Sequence, residues 1–420
     1  MSDHIIIEQS PLLQGEIILD GAKNAVLVIM ASLILTRGKS HLTNVPCSND
    51  VYQMIALLQN LGATVYFDEK NNTADIDTST ICAQAVNADI MKKMRASILV
   101  MGPLLARYGA AEIALPGGCV IGARPVDYHL KAFAKMGAVI THTQDALYAR
   151  AEKLTPQRFM LEYPSVGATE NIMMAAALTP GKTTIINAAL EPEVFDLIAV
   201  LRKMGAHITI TQPAAIVIEG VEDLKPVTHA IMADRLEAGT LLLAVAMTGG
   251  SVTIPHIHVD MLELVLEKLD EMGHVIGIGP DGMGISFSAT ANPRAVSFKT
   301  MPYPGFPTDL QAPMMAVLCR ASGESVIHET VYENRLLHIR ELQKMGAQIT
   351  QSGTMAVIKG VDELYGASVI ATDIRASAAL VIAGLGAHGQ TVMSGVHHLR
   401  RGYNKLEDKI MKLGGKIRVG

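Results

Sequence analysis

The chain has 420 residues, of which 49% are hydrophobic and 18% charged, and 35 Lys and Arg against 40 Asp and Glu leave a net charge of −5. That length supports two or three domains with sizeable cores. The charge offers no bulk attraction for nucleic acid or an anionic membrane, so anions are left to local basic clusters.

The opening segment, MSDHIIIEQSPLL, lacks the basic stretch and apolar core of a signal peptide. Two strand-like runs between Ile5 and Leu19 read as a hairpin that precedes the first helix and pairs with the last part of the chain. From there one pattern recurs six times: an amphipathic helix, a hydrophobic residue, Gly, and a short β-like run. The copies are LGATV, MGAVI, MGAHI, MGHVI, MGAQI and LGGKI, with glycines at 62, 137, 205, 273, 346 and 414, spaced by 75, 68, 68, 73 and 68 residues. Such regular spacing points to internal duplication. Glycine suits the end of each helix because the chain needs a left-handed residue there before it enters a strand.

A more apolar helix alternates with each amphipathic one and ends at Gly38, Gly109, Gly181, Gly250, Gly323 or Gly389. Helices that are apolar nearly all round belong inside a domain, with the amphipathic set covering strands nearer the surface. The expected fold is therefore α/β, with six helix–strand–helix–strand units in two domains of three. The boundaries fall at residues 23–230 for one domain and 1–22 with 231–420 for the other. Two crossings of the chain then leave a cleft that holds the active site. The apolar run Ala238–Val259 contains Gly249, Gly250 and Pro255, which argues against a membrane span.

If the six buried helices are equivalent, their starts occupy equivalent places. Those starts carry Lys23 and Asn24 in GAKNA, Arg95 in KMRAS, Ser165, Val166 and Gly167 in PSVGAT, Arg235 and Glu237 in ADRLEAGT, Asp309 in FPTDLQA, and Asp373 and Arg375 in TDIRASA. Helix starts expose free N–H groups and positive partial charge, so three together suit phosphate or carboxylate. Taken singly, such residues are more often caps or solvated ion pairs. Their recurrence at one point of the repeat favours function for the set.

The four cysteines, Cys47, Cys82, Cys119 and Cys319, form no CxxC and have no His at metal spacing. No metal is expected, and reduced thiols fit a cytoplasmic enzyme. A lone Cys is usually a small buried hydrophobe, which suits Cys319 in MMAVLCR and Cys82. It suits Cys119 badly, because LPGGCVIGARPVD is glycine-rich and carries Arg124, with Lys131 nearby. Those cations favour the thiolate. Loops at corresponding places carry Glu191 and Glu193, Glu329, Glu333 and Arg335, and His397, Arg400 and Arg401.

The motifs GAKNA, MRAS, LPGGCVIGARPVD, SVGATEN, EPEV, FPTDLQA, ENR, ATDIRAS and RGY, in this order, resemble the UDP-N-acetylglucosamine 1-carboxyvinyltransferase family along nearly the whole chain. That family's enzymes are enolpyruvyl transferases, and they open peptidoglycan synthesis, a cell-wall pathway tied to cell shape and division. The resemblance implies an inside-out α/β fold whose two domains each hold three pseudo-symmetric units. It also implies transfer of enolpyruvate from phosphoenolpyruvate to the 3′-hydroxyl of UDP-N-acetylglucosamine with release of phosphate, and no cofactor.

Cys119 then matches the proton donor, which also forms a covalent adduct and is the target of fosfomycin. Asp309 matches the base, and Lys23 is catalytic as well as binding. Lys23, Asn24, Arg124 and Arg401 match the phosphoenolpyruvate site. Arg95, Arg124, Pro125, Val126, Asp127, Tyr128, Ser165, Val166, Asp309 and Val331 match contacts to the nucleotide sugar, while Gly167, Arg335, Asp373 and Arg375 support them. The chain departs from the family at Arg400, where relatives often carry Asp, and at Tyr163 and Pro164. The Arg400 change bears on how Arg401 is oriented. The rival within the same chemistry, 5-enolpyruvylshikimate-3-phosphate synthase, opens its first helix with an LPGDKS-like motif that is missing here. A catalytically silent paralogue that binds the nucleotide sugar has only these departures in its favour.

Overall fold

The computed structural model describes residues 4–81, 95–114, 126–143 and 146–420, except for the side chains of residues 95–97 and 114. The chain divides into two compact units, one within residues 21–232 and the other formed by residues 4–20 with 233–420. The first contains helices α1 (Lys23–Ser32), α2 (Asn49–Asn60), α3 (Met101–Tyr108), α4 (Asp127–Lys135), α5 (Val166–Ala177) and α6 (Pro192–Met204). The second contains α7 (Arg235–Thr248), α8 (Glu263–Glu271), α9 (Gln311–Leu318), α10 (Ile339–Lys344), α11 (Ile374–Gly386), α12 (Val396–Gly402) and α13 (Leu406–Lys412).

The apolar helices are interior, as their composition predicts. Every residue of α7 from Arg235 to Ala246, and every residue of α11 from Arg375 onward, is buried. In the second unit α7, α9 and α11 pack against one another. In the first, α3 packs on α5, and α1 packs on the 3-10 turn Arg95–Val100 that leads into α3. Gly102 makes the α3–α5 approach possible, since a Cβ there would come within 2.4 Å of the Asn171 carbonyl oxygen. The amphipathic helices bury one face only: in α6 that face is Val194, Leu197, Ile198, Leu201 and Met204. All twelve glycines singled out by the repeat have positive φ, between 94° and 111° at the ends of the amphipathic helices and between 68° and 130° after the buried ones. Only glycine holds that conformation without strain.

The described residues form six sheets, five with four strands and one with three. Four of the sheets share one pattern. The strand after a buried helix pairs antiparallel with the later strand of the same repeat, which pairs antiparallel with the strand between them. A short strand from elsewhere in the same unit then adds in parallel. Thus Lys39–Thr43 pairs with Thr73–Asp77, which pairs with Thr64–Asp68, and Thr228–Ala230 adds alongside. Strands such as Glu324–His328 and Met355–Lys359 alternate buried and exposed residues, as one-face burial demands.

The opening segment departs from the expected hairpin. Ile5–Glu8 does not pair with Leu13–Glu16. It inserts between Gln390–Ser394 and Ile417–Val419, antiparallel to both, as an inner strand of a four-stranded sheet. Leu13–Glu16 instead adds in parallel to Gly250–His258, in the fourth sheet. The expected pairing with the last unit is therefore correct for the first strand and wrong for the second. The physical reason is that the sixth repeat supplies only two of its three antiparallel strands, leaving a gap that Ile5–Glu8 fills.

Candidate active site

Lys23 begins α1 and sends Nζ to within 3.5 Å of Asp50 Oδ2 on α2, with both side chains nearly buried. Asn24 beside it is half-buried. Ser165 caps α5, its Oγ accepting the Ala168 N–H at 3.4 Å, and Val166 and Gly167 follow as the first helical residues. Val126 precedes α4, where Asp127 pairs with Lys131 at 3.1 Å and Lys131 lies over the Tyr128 ring. Arg95 opens the turn that enters α3. Cys119, Arg124, Pro125 and Cys82 lie outside the described residues. Cys319 is fully buried and its thiol is pushed up to about 12, the inert behaviour its apolar run implies.

The second unit gathers Asp309, Arg335 and Arg375 into one cluster. Asp309 sits in the 3-10 turn ahead of α9 and accepts from Arg335 Nη2 at 2.5 Å and from Arg375 Nη2 at 2.8 Å. Burial pushes its carboxyl up, but Arg375 and Arg335 outweigh that and hold it well below the usual carboxylate range. The two arginine side chains are 4% and 6% exposed while that of Asp309 is 25% exposed, so the carboxylate keeps an open face. Arg375 Nη1 also donates to Tyr403 Oη at 2.9 Å, and that hydroxyl lies 2.9 Å from Thr240 Oγ1 on α7. Asp373 caps α11, accepting the N–H groups of Arg375 at 2.8 Å and Ala376 at 3.0 Å.

Arg335 extends the network through Thr308, donating from Nη1 at 3.2 Å, and Thr308 donates to Glu329 Oε2 at 2.8 Å. Glu329 is buried and collects three more donors on Oε1: Thr300 Oγ1 at 2.9 Å, Val331 N at 2.8 Å and Tyr332 N at 3.1 Å. The position of Val331 and that of the Asp309–Arg335 pair are thus fixed by one carboxylate. The segment read as a loop around Arg400 and Arg401 is instead α12, a short helix in its own right. Arg400 forms a salt bridge with the buried Glu407 on α13. The charge introduced at position 400 is paired there.

Sequence reasoning missed three groups. Glu170, buried on α5, has its carboxyl raised well above the ordinary value by burial and by repulsion from Glu193 and Glu191. His129 on α4 and Asn171 on α5 share a buried hydrogen bond. A polar Asn171 inside NIMMAAA was the available signal. Among the described residues no three His, Cys, Asp or Glu side chains come together as a metal site requires.

Comparisons with known proteins show the family. The chain matches the family described as EPSP synthase (3-phosphoshikimate 1-carboxyvinyltransferase) over residues 7–410. It is 48% identical over 417 residues, 99% of each chain, to UDP-N-acetylglucosamine 1-carboxyvinyltransferase 1 of Caldanaerobacter subterraneus subsp. tengcongensis. It is 45% identical over 416 residues, again 99% of each, to UDP-N-acetylglucosamine 1-carboxyvinyltransferase of Geobacter metallireducens. Among solved structures, the enolpyruvyl transferase NikO from Streptomyces tendae matches with a TM-score of 0.89 at 26% identity, covering 100% of this chain and 99% of that one. An EPSP synthase from Acinetobacter baumannii shares the fold, with a TM-score of 0.79 at 17% identity over 100% of both chains.

Proposed function

Because the chain belongs to the EPSP synthase family of enolpyruvyl transferases, we infer that it moves the enolpyruvyl group of phosphoenolpyruvate to the 3′-hydroxyl of UDP-N-acetylglucosamine. This is the reaction that opens peptidoglycan synthesis. The observation that carries the reading is identity of 45–48% over 99% of the chain to enzymes named for that substrate. Both substrates are small anions of the cytoplasm, where the protein is proposed to act. No helix among the described residues is long and apolar enough to cross a membrane.

In the proposed reaction the phosphoenolpyruvate methylene takes a proton from Cys119, making the adjacent carbon electrophilic. The sugar hydroxyl adds to that carbon and gives its proton to Asp309, forming a tetrahedral adduct that still carries phosphate. A methyl proton then returns to the Cys119 thiolate, re-forming the carbon–carbon double bond as the C–O bond to phosphate breaks, and the leaving phosphate takes the proton held by Asp309. A thiol suits the first step because its proton is labile near neutral pH. Lys23, Asn24, Arg124 and Arg401 hold the phosphate and carboxylate, and guanidinium groups match such oxyanions in bidentate fashion. Arg95, Pro125, Val126, Asp127, Tyr128, Ser165, Val166 and Val331 contact the nucleotide sugar. Gly167, Arg335, Asp373 and Arg375 support the site.

Asp309 is a weak base while Arg335 and Arg375 both hold it. It therefore orients the hydroxyl through its open face and takes the proton late, once bonding to carbon has made the oxygen acidic. Phosphate release measured with phosphoenolpyruvate and either UDP-N-acetylglucosamine or shikimate 3-phosphate tests the reading. Release with the nucleotide sugar alone is expected. Release with shikimate 3-phosphate alone, or binding of the nucleotide sugar with no release, would overturn it.

A further inference from the structure

The short helix α12 is held from two sides, and Arg401 stands in sequence between the two holds. On one side Arg400 grips Glu407 on α13 with both terminal nitrogens: Nη1 donates to Oε2 at 2.7 Å, and Nη2 donates to Oε1. The Glu407 side chain is 5% exposed and that of Arg400 28%, so the carboxylate is buried and the guanidinium closes over it. On the other side the buried Tyr403 accepts from Arg375 Nη1 at 2.9 Å and meets Thr240 Oγ1 at 2.9 Å. Gly402 lies hard against α11, since a Cβ there would stand 2.5 Å from Ile374 Cγ2.

α12 runs only from Val396 to Gly402 and buries only Val396 and Leu399. Apolar packing at two positions sets the roll of so short a helix loosely, and a roll swings every side chain that the helix carries. A fork of two parallel N–H···O bonds has a direction, and it resists that roll where apolar contact does not. Successive residues leave a helix about 100° apart. The angle at which Arg401 leaves α12 therefore follows from where Arg400 is held.

We propose that Arg400 is a positioning residue: its fork on Glu407 fixes the roll of α12 and so aims Arg401 at the carboxylate of phosphoenolpyruvate. This rests on the reading that Arg401 binds phosphoenolpyruvate. Arg400 stays on Glu407 and acts only through its neighbour, so its loss is felt by one substrate and spares the other. The charge at position 400, where relatives often carry Asp, is in this way tied to the reaction without touching it.

The test is steady-state phosphate release by the full chain, with phosphoenolpyruvate and UDP-N-acetylglucosamine varied in turn. Arg400→Ala is expected to raise KM for phosphoenolpyruvate about tenfold, within what a misplacement of about 1 Å produces. KM for the nucleotide sugar and kcat are expected to stay within about twofold, as for a lost contact that ground state and transition state share. Glu407→Gln removes no positive charge, yet is expected to raise the same KM. Arg400→Lys keeps the charge without the fork and recovers only part of the loss. Because Arg400→Ala also strands a buried carboxylate, the double variant Arg400→Met with Glu407→Leu separates aim from stability. Replacing a buried ion pair by apolar side chains commonly preserves stability, so its melting temperature is expected to stay near that of wild type while KM for phosphoenolpyruvate stays raised. A wild-type KM for phosphoenolpyruvate in Glu407→Gln and in the double variant, or an equal rise for both substrates, overturns the proposal and leaves the enzymatic reading intact. A wild-type protein that releases no phosphate from the two substrates removes both.

Discussion

At the scale of single residues the chemistry turns on Cys119 and Asp309. Cys119→Ser is expected to slow turnover greatly and to abolish inactivation by fosfomycin, followed as mass gain on the intact protein. Alkylation that persists in that variant would remove Cys119 from the reading. Cys119→Asp separates proton donation from adduct formation, because a carboxylic acid still donates without forming the thioketal. Asp309 makes the converse case, a carboxylate held low by Arg375 and Arg335. Arg375→Ala removes the 2.8 Å partner and lets the Asp309 pKa rise. The acid limb of kcat/KM is then expected to move to higher pH. Breaking a fully buried pair costs about 3–5 kcal/mol. Because Asp309 is 25% exposed, about 2–3 kcal/mol is expected here by denaturant unfolding. An acid limb that stays where it is in Arg375→Ala would show that Asp309 is not the titrating base.

At the scale of elements, Glu329 joins parts that are far apart in sequence. Through Thr308 it steadies Arg335, and through two backbone N–H groups it shapes the turn at Val331. Glu329→Ala leaves those donors without their buried acceptor, an expected loss of about 2–4 kcal/mol. It is also expected to raise KM for UDP-N-acetylglucosamine more than it lowers kcat. Steady-state kinetics well below the variant's melting temperature check this, and an unchanged KM would confine Glu329 to stability alone. The helices and their ends were legible in the sequence because a glycine such as Gly205, with φ of 111°, answers a local demand of its own helix. The clustering of Asp309 with Arg375 was legible only through repeat equivalence and family motifs. The Asn171–His129 pair was not, since it requires three helices to meet around a side chain that looks like any small polar residue. Nor was α12, whose seven residues carry too little periodicity to separate from a loop.

At the scale of the whole molecule, buried titratable groups set the response to acid. Burial lowers His129, His274 and His338 from 6.5 to about 4, so each ring is neutral when folded and charges more readily when unfolded. At these imidazoles the unfolded chain binds more protons between those values, a contribution that lowers stability as pH drops from about 6.5 towards 4, while Glu170 and Glu237, raised by burial, contribute in the opposite sense. Asp309, depressed instead, contributes stability above the ordinary carboxylate range and loses it only as pH falls further, through its own lowered value. Melting temperature measured from pH 8 to 4 is expected to show the histidine contribution as a fall that begins near pH 6.5. His274→Asn, which keeps an acceptor for the Thr290 N–H, is expected to flatten the upper part of the curve. An unaltered slope in that variant would locate the acid sensitivity elsewhere.

The strand Ile5–Glu8 carries a consequence for synthesis. It leaves the ribosome before residues 21–232 are made, yet its two partners, Gln390–Ser394 and Ile417–Val419, follow only after residue 389. The unit within residues 21–232 has all its strands early and is free to fold during translation. The other unit waits with an apolar strand exposed for most of the elongation time, and that strand is an aggregation hazard. Ribosome-bound chains stopped near residue 300 are expected to resist protease across residues 21–232 and to be cut readily before Asp20. Protection of Ile5–Glu8 in such chains would mean that it finds another partner first.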